Sequence, residues 1–211
     1  MIECVIFDCD GTLVDSEVLC NLGLEIKLKE LGIKVDTESM VNRFRGWKLA
    51  DIVDVLSKEH NLRLDDAFIT SYRQVVGNLF SSQLQPIPNV KFALENISQP
   101  KCVASNAPLD KIRQAVRITN LEHFFADNLF SSYTIQAWKP KPDLFLYAAK
   151  MMGIQPKNCI VIEDSTLGIQ AAEAAGMKSL YFQPEGGRLP QDIGVTSFSN
   201  MLELSALIES S

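Results

Sequence analysis

Two carboxylates stand two residues apart in Asp8-Cys9-Asp10-Gly11-Thr12, directly behind the apolar run Cys4-Val5-Ile6-Phe7. Paired acids where a buried strand meets a tight turn repel each other, so the arrangement is unfavourable unless a cation or a reaction uses both. Composition alone produces D-x-D-G-T in roughly a few chains per thousand of this length. The bland alternative is a strand followed by a solvated acidic turn. Other polar residues follow later apolar runs: Ser105 and Asn106, then Ser131, then Glu163 and Asp164. Lys139 lies in Trp138-Lys139-Pro140-Lys141-Pro142, a loop that opens onto a core helix. In an open parallel sheet these positions share one edge, outside the carboxyl ends of the strands. Four acids gathered there hold one another protonated unless a hard divalent cation is bound. Oxygen ligands with water are what Mg²⁺ selects.

The elements that position these residues follow from the apolar pattern. Short runs at Cys4–Phe7, 101–104, 128–130, 159–162 and Lys178–Phe182 are rich in valine and isoleucine and bounded by turn residues, as buried parallel strands are. Helical spacing separates most of them: Val90, Ala93, Leu94, Ile97; then Leu109, Ile112, Val116; then Leu144, Phe145, Ala148, Met152. Gly168, Ala171 and Ala175 give a small-residue face suited to close packing on a sheet. The alternation predicts a doubly wound, mostly parallel, Rossmann-like α/β core.

Residues 15–84 break the alternation. Leu49, Ile52, Val53 and Leu56 form one helical stripe, and Phe68, Tyr72, Val75, Val76 and Leu79 form another. The stretch 16–31 is apolar on two sides, as a helix packed within a bundle would be. The reading is therefore an inserted all-helical cap at 15–84, with the core built from 1–14 and 85–211. The chain returns through Pro86-Ile87-Pro88, a stiff connection. Asp15 is expected to cap the first cap helix.

D-x-D-G-T at the first strand, Ser-Asn at the second, Lys-Pro-x-Pro before a helix and Glu-Asp-Ser at the fourth resemble, in that order, the haloacid dehalogenase-like phosphohydrolases. The insertion point and helical character of the cap resemble their C1-capped subclass. That subclass includes sugar phosphatases and β-phosphoglucomutase. The resemblance implies Asp8 as nucleophile, forming an aspartyl-phosphate, and Asp10 as the acid and base that moves the proton. It implies Mg²⁺ held by Asp8, by the backbone carbonyl of Asp10 and by Asp164, with Glu163 helping directly or through water. Ser105, Asn106 and Lys139 would bind the phosphoryl, and Gly11 and Thr12 would shape the turn and lend it backbone donors. In Arg43-Phe44-Arg45-Gly46-Trp47-Lys48 the matching cap loop implicates Arg45, Gly46 and Lys48 in reading the substrate, and favours a second anionic group. Overall similarity points toward the branch of bacterial phosphatases that act on 6-phosphogluconate.

Competing readings are weaker. Mutases of the β-phosphoglucomutase type carry a histidine ten residues after the second aspartate, where this chain has Cys20. Metal-independent dehalogenases lack the Asp10 equivalent. A phosphonatase needs a Schiff-base lysine, and Lys27 and Lys29 carry no mark of burial. A phospho-receiver signalling domain would place its acceptor at the third strand, where Ser131 stands. No Walker A or G-x-G-x-x-G pattern appears in a strand–helix context.

Of 211 residues, 46 % are hydrophobic and 22 % charged, the balance of a globular chain with a real core. A net charge of −6 argues against nucleic acid as a partner, since phosphate contacts need clustered cations. No run approaches a membrane span, and the start shows no cationic leader. Five cysteines are an odd number without zinc-like spacing, which suits reduced thiols. These features predict a cytoplasmic protein; the resemblance implies a small phosphorylated molecule as its substrate, and a monomer is expected.

Overall fold

The computed structural model describes residues 1–44, 47–184 and 194–211. Six strands form one sheet: β1 (Cys4–Phe7), β2 (Lys101–Ser105), β3 (Leu129–Ser131), β4 (Cys159–Glu163), β5 (Lys178–Phe182) and β6 (Thr196–Phe198). Their order is β3-β2-β1-β4-β5-β6, and every pairing is parallel. Strand β1 is central, with no exposed side-chain surface along Cys4, Val5, Ile6 and Phe7. Val5 and Phe7 enter one apolar cluster; Cys4 and Ile6 enter the other, on the opposite face. A strand covered on both faces reads as an unbroken apolar run, which is why β1 was legible. The chain steps outward from β1 to β2 and β3 on one side and from β4 to β5 and β6 on the other. The switch point therefore falls at β1 and β4.

Four helices lie between β1 and β2 before the core resumes: α1 (Glu17–Glu30), α2 (Thr37–Phe44), α3 (Leu49–His60) and α4 (Asp66–Gln83). Helix α4 starts cleanly because the Asp65 carboxylate accepts from the N–H groups of Ala67 and Phe68. Its buried seam is Tyr72, Val76 and Phe80; Val75 and Leu79 are only half-buried, so the predicted stripe is rotated toward Phe80. Helix α1 likewise buries Leu19, Leu24 and Leu28 while Val18 and Leu31 face solvent, which corrects the expectation of two apolar sides. The two chain crossings run side by side. Val14 bridges Pro86, Asp15 N–H donates to Gln85 O at 3.0 Å, and Ile87 N–H donates to Leu13 O at 2.9 Å.

The remaining helices are α5 (Val90–Asn96), α6 (Leu109–Ile118), α7 (Glu122–Phe125), α8 (Ser132–Ile135), α9 (Asp143–Met152), α10 (Thr166–Ala174) and α11 (Leu204–Glu209). Phe7 meets Phe125 edge-on at 6.0 Å on one face of the sheet. On the other, Leu144, Phe145 and Ala148 of α9 and Ala171 and Ala172 of α10 complete the second cluster. Strand β6 was not anticipated from sequence. It has three residues, two of them exposed, at the sheet edge. Among the described residues no helix is long and apolar enough to cross a membrane.

Candidate active site

The carboxyl ends of β1, β2 and β4 converge on one cavity of about 430 Å³, roofed by helices α1, α3 and α4. Asp8 follows β1 directly and is tied to the neighbouring strand, its N–H donating to Ile162 O at 2.9 Å. The chain then folds tightly: Leu13 and Val14 N–H groups both donate to Cys9 O, and Gly11 N–H donates to Val14 O. That last bond engages the Gly11 donor within the turn. The residue's further contribution is steric. Gly11 has φ +83°, and a Cβ there would run into the Asp164 carboxylate.

Lys139 is the electrostatic centre. Its buried Nζ lies 2.5 Å from Asp8 Oδ1 and 2.7 Å from Glu163 Oε1, and sits over the Phe145 ring at 4.9 Å. Burial alone would disfavour its charge, but the two carboxylates hold its pKa above the ordinary lysine value. Burial pushes the Asp8 carboxyl up to about 7; the Lys139 ammonium pulls it back, and the Glu163 charge adds to the rise. Carboxylate oxygens of Asp8, Glu163 and Asp164 all lie within 4.8 Å of one another, and all three residues are buried. Three acids facing one ammonium leave an excess of negative charge on hard oxygens. The donor set fits a divalent cation such as Mg²⁺.

Each acid is held by its neighbours. Thr12 Oγ1 donates to Asp164 Oδ1 at 3.2 Å. Glu163 Oε2 accepts from the N–H and the hydroxyl of Ser165, at 2.7 and 2.8 Å, and Ser165 Oγ in turn caps α10 through Gly168 N–H. A Cβ on Gly168 would occupy the space of the Glu163 side chain, so the predicted small-residue face of α10 includes a seat for a carboxylate. Asn106 Oδ1 accepts from Ser132 Oγ at 2.7 Å and from Lys139 N–H at 3.0 Å, which fixes the lysine loop. Ser105 Oγ accepts from Ala107 N–H, and Ser131 Oγ donates to Ala107 O. The ends of β2 and β3 thus brace the same turn.

Asp10 has a different set of partners, which the sequence reading missed. Lys111 Nζ, from the first turn of α6, lies 2.9 and 3.0 Å from its two oxygens, and Ser16 Oγ donates to Oδ1. Burial raises the Asp10 pKa, but Lys111 and Ser16 outweigh it and hold the carboxyl below the usual carboxylate value. Ser16, not Asp15, occupies the N-cap of α1; its hydroxyl serves Asp10, and Asp15 is exposed. A signal for Lys111 was present, since a cation in the first turn of a helix opposes the dipole and calls for an anionic partner.

Of the residues expected to read substrate from the cap, Lys48 lines the cavity, with Nζ 3.8 Å from the centre of the Trp138 ring. Arg45 and Gly46 lie outside the described residues. Cys20 also lines the cavity, within reach of Lys111 and Tyr72.

Residues 2–176 match the haloacid dehalogenase-like hydrolase family. The chain is 41 % identical over 208 residues to a 6-phosphogluconate phosphatase of Escherichia coli K12, covering 98 % of this chain and 94 % of that one. It is 29 % identical over 180 residues to a fructose-1-phosphate phosphatase of the same organism, covering 83 % and 94 %. A crystal structure of a haloacid dehalogenase-like protein of unknown function from Agrobacterium tumefaciens superposes with a TM-score of 0.86 at 31 % identity, covering 100 % and 99 %. With its parallel sheet and acid-lined strand ends, the chain belongs to the haloacid dehalogenase-like hydrolases.

Proposed function

We propose that the protein is a Mg²⁺-dependent phosphatase acting on small phosphorylated sugars and sugar acids, with 6-phosphogluconate as the leading candidate substrate. One observation carries this reading. Asp8, the first residue beyond the central strand, shares a buried cluster with Lys139, Glu163 and Asp164, while a second acid stands two residues on.

Asp8 attacks phosphorus and the ester oxygen departs, leaving an aspartyl-phosphate. Asp10, once released from Lys111 and Ser16 and protonated from solvent, gives its proton to the departing alcohol. It then takes one from the water that hydrolyses the acyl-phosphate, releasing inorganic phosphate and restoring Asp8. Lys139 holds Asp8 in line and meets the phosphoryl oxygens, joined by the Ser105 hydroxyl and the Asn106 amide. Asp8, Asp164 and the Asp10 backbone carbonyl would hold Mg²⁺, whose charge would keep the Asp8 carboxylate ionised near neutral pH. Both Glu163 oxygens already accept bonds, so Glu163 acts chiefly by positioning Lys139 and Ser165. Residues 15–84 serve as a cap that covers the strand ends and excludes water from the phosphoryl.

The identity to the E. coli 6-phosphogluconate phosphatase supports the choice of candidate substrate. Phosphate release measured over sugar phosphates, phosphorylated sugar acids and nucleotides, with Mg²⁺ and with chelator, tests the reading. Mg²⁺-dependent release from sugar esters is the expected result; release unaffected by chelation defeats it. A bisphosphate seen by mass spectrometry during turnover would establish the mutase alternative instead.

A further inference from the structure

Lys111 is unusual for what surrounds it. It belongs to α6, a core helix, yet its Nζ is walled by the roof, 5.4 Å from the Phe80 ring and within reach of Cys20 and Tyr72. Its side chain is only 26 % exposed, and both oxygens of Asp10 are its hydrogen-bond acceptors. The site's phosphoryl end does not use it, because Lys139 already fills that place between Asp8 and Glu163. Four cations line the cavity among the described residues: Lys48, Arg73, Lys111 and Lys139. Lys48 lies on Trp138, and Arg73 is exposed. Lys111 is the one that touches Asp10.

That contact is incompatible with a static role. To donate to the leaving oxygen, the Asp10 carboxyl must turn at least one of its oxygens away from Lys111 and Ser16. A mostly buried ammonium then faces loss of its counter-charge, an unfavourable state unless another anion arrives. The leaving oxygen and Lys111 Nζ each lie one hydrogen bond from Asp10, so they are separated by at most about 6 Å plus the width of the carboxyl. The five carbon–carbon bonds of a six-carbon sugar acid advance its carboxylate by roughly 6 Å from the phosphorylated end, and shorter acids place it closer.

We propose that Lys111 is a specificity residue that binds the carboxylate of a phosphorylated acid, exchanging Asp10 for the substrate anion as the ester enters. This rests on the phosphatase reading above and adds the side chain that selects acids over neutral sugar esters. Discrimination then comes from the core helix after β2 as well as from the roof. A neutral ester offers Lys111 no anion in exchange for Asp10 and binds more weakly for that reason.

The test compares wild type, Lys111→Met and Lys111→Arg on 6-phosphogluconate and glucose 6-phosphate with Mg²⁺. Calorimetric binding of both esters to Asp8→Asn, with and without Lys111→Met, runs in parallel. Lys111→Met should lower the acid-to-neutral ratio of kcat/KM about 10- to 100-fold, mainly through KM, and Lys111→Arg should recover most of it. The binding ratio should fall likewise in the Asp8→Asn background. Equal losses on both esters would overturn the proposal, making Lys111 only a support for Asp10; so would an unchanged ratio. Wild type that hydrolyses both esters equally well would overturn it while leaving the phosphatase reading intact. Absence of turnover on any ester would remove the phosphatase reading, and the binding ratio would still decide whether Lys111 recognises a carboxylate.

Discussion

The floor and the roof of the cavity are built on opposite principles. The floor, at the ends of β1, β2 and β4, is a lattice of buried charges in which each group is held by at least one other: Lys139 by Asp8 and Glu163, Glu163 by Ser165, Asp164 by Thr12. The roof contributes mainly apolar and aromatic surface, with Trp47 44 % exposed and Lys48 resting on a ring of the floor's loop. Such a contrast separates tasks. A rigid charged floor can fix reacting atoms to a fraction of an ångström, whereas a roof held by few polar contacts can vary its shape among substrates. Removing a floor group should therefore stop the reaction, and removing a roof group should change what reacts.

The sharpest expected break is Asp8→Asn, which keeps the shape of the side chain and removes the proposed nucleophile. Turnover should drop at least about a thousandfold with circular dichroism unchanged, and a rate near wild type would dismiss Asp8 as the attacking group. Lys139→Met comes next. It leaves Asp8 and Glu163 buried without their ammonium, so activity should fall roughly 100- to 1,000-fold and stability by about 3 kcal/mol, read from denaturant midpoints. Stability equal to wild type would mean that the two acids are not held as charges in the folded protein. Gly168→Ala tests the floor at one remove, through the seat it provides for Glu163. The added methyl forces Glu163 off Lys139, and a loss of about 10- to 100-fold in kcat with KM nearly constant is expected; normal kcat would show that the seat is not needed.

The floor also has a pH signature. With the Asp8 pKa raised to about 7, the folded chelated protein binds a proton between pH 4 and 7 that the unfolded chain has already lost. Stability contributed by that proton is present below about pH 4 and is lost as pH rises through about 7. A divalent cation relieves the penalty by favouring the charged carboxylate. Added Mg²⁺ should therefore raise Tm by several degrees more at pH 8 than at pH 5. Equal shifts at the two pH values would place the cation away from Asp8. Asp10 contributes in the opposite sense and outside this window, since its lowered pKa favours the fold above about pH 4.

Much of the floor was legible because its logic is one-dimensional. An unbroken apolar run ends, and the next residues must lie at the strand's carboxyl end, so Asp8, Ser105 and Glu163 were placed by counting alone. What the sequence hid depends on where helices point. Lys111 and Ser16 meet Asp10 only because α6 and α1 converge on one turn, and neither distance in the chain announces it. Phe80 escaped the predicted stripe because the rotation of α4 is set by its contacts with α1 and α6. Strand β6 has too few buried residues to generate a period. Asn106 lines the cavity, and its oxygen is committed to Ser132 and the Lys139 backbone, bonds between loops that no local pattern encodes.

The smallest effect is expected where roof meets floor. Lys48 stands just ahead of α3, and its ammonium lies over Trp138, one residue before the lysine that holds Asp8. Tyr133 packs edge-on against the same ring at 5.5 Å, so Trp138 has a second anchor inside the core. A partly exposed cation–π contact is worth only about 0.5–1 kcal/mol, too little to hold the roof shut but enough to bias its position by a few-fold. Lys48→Met keeps the length of the chain and removes the charge. It should raise KM for sugar phosphates about two- to five-fold, leave kcat within a factor of two and leave Tm unchanged within about a degree. A kcat loss approaching that of Gly168→Ala would mean that roof contacts position the reacting groups after all, and the division between a floor that reacts and a roof that selects would have to be abandoned.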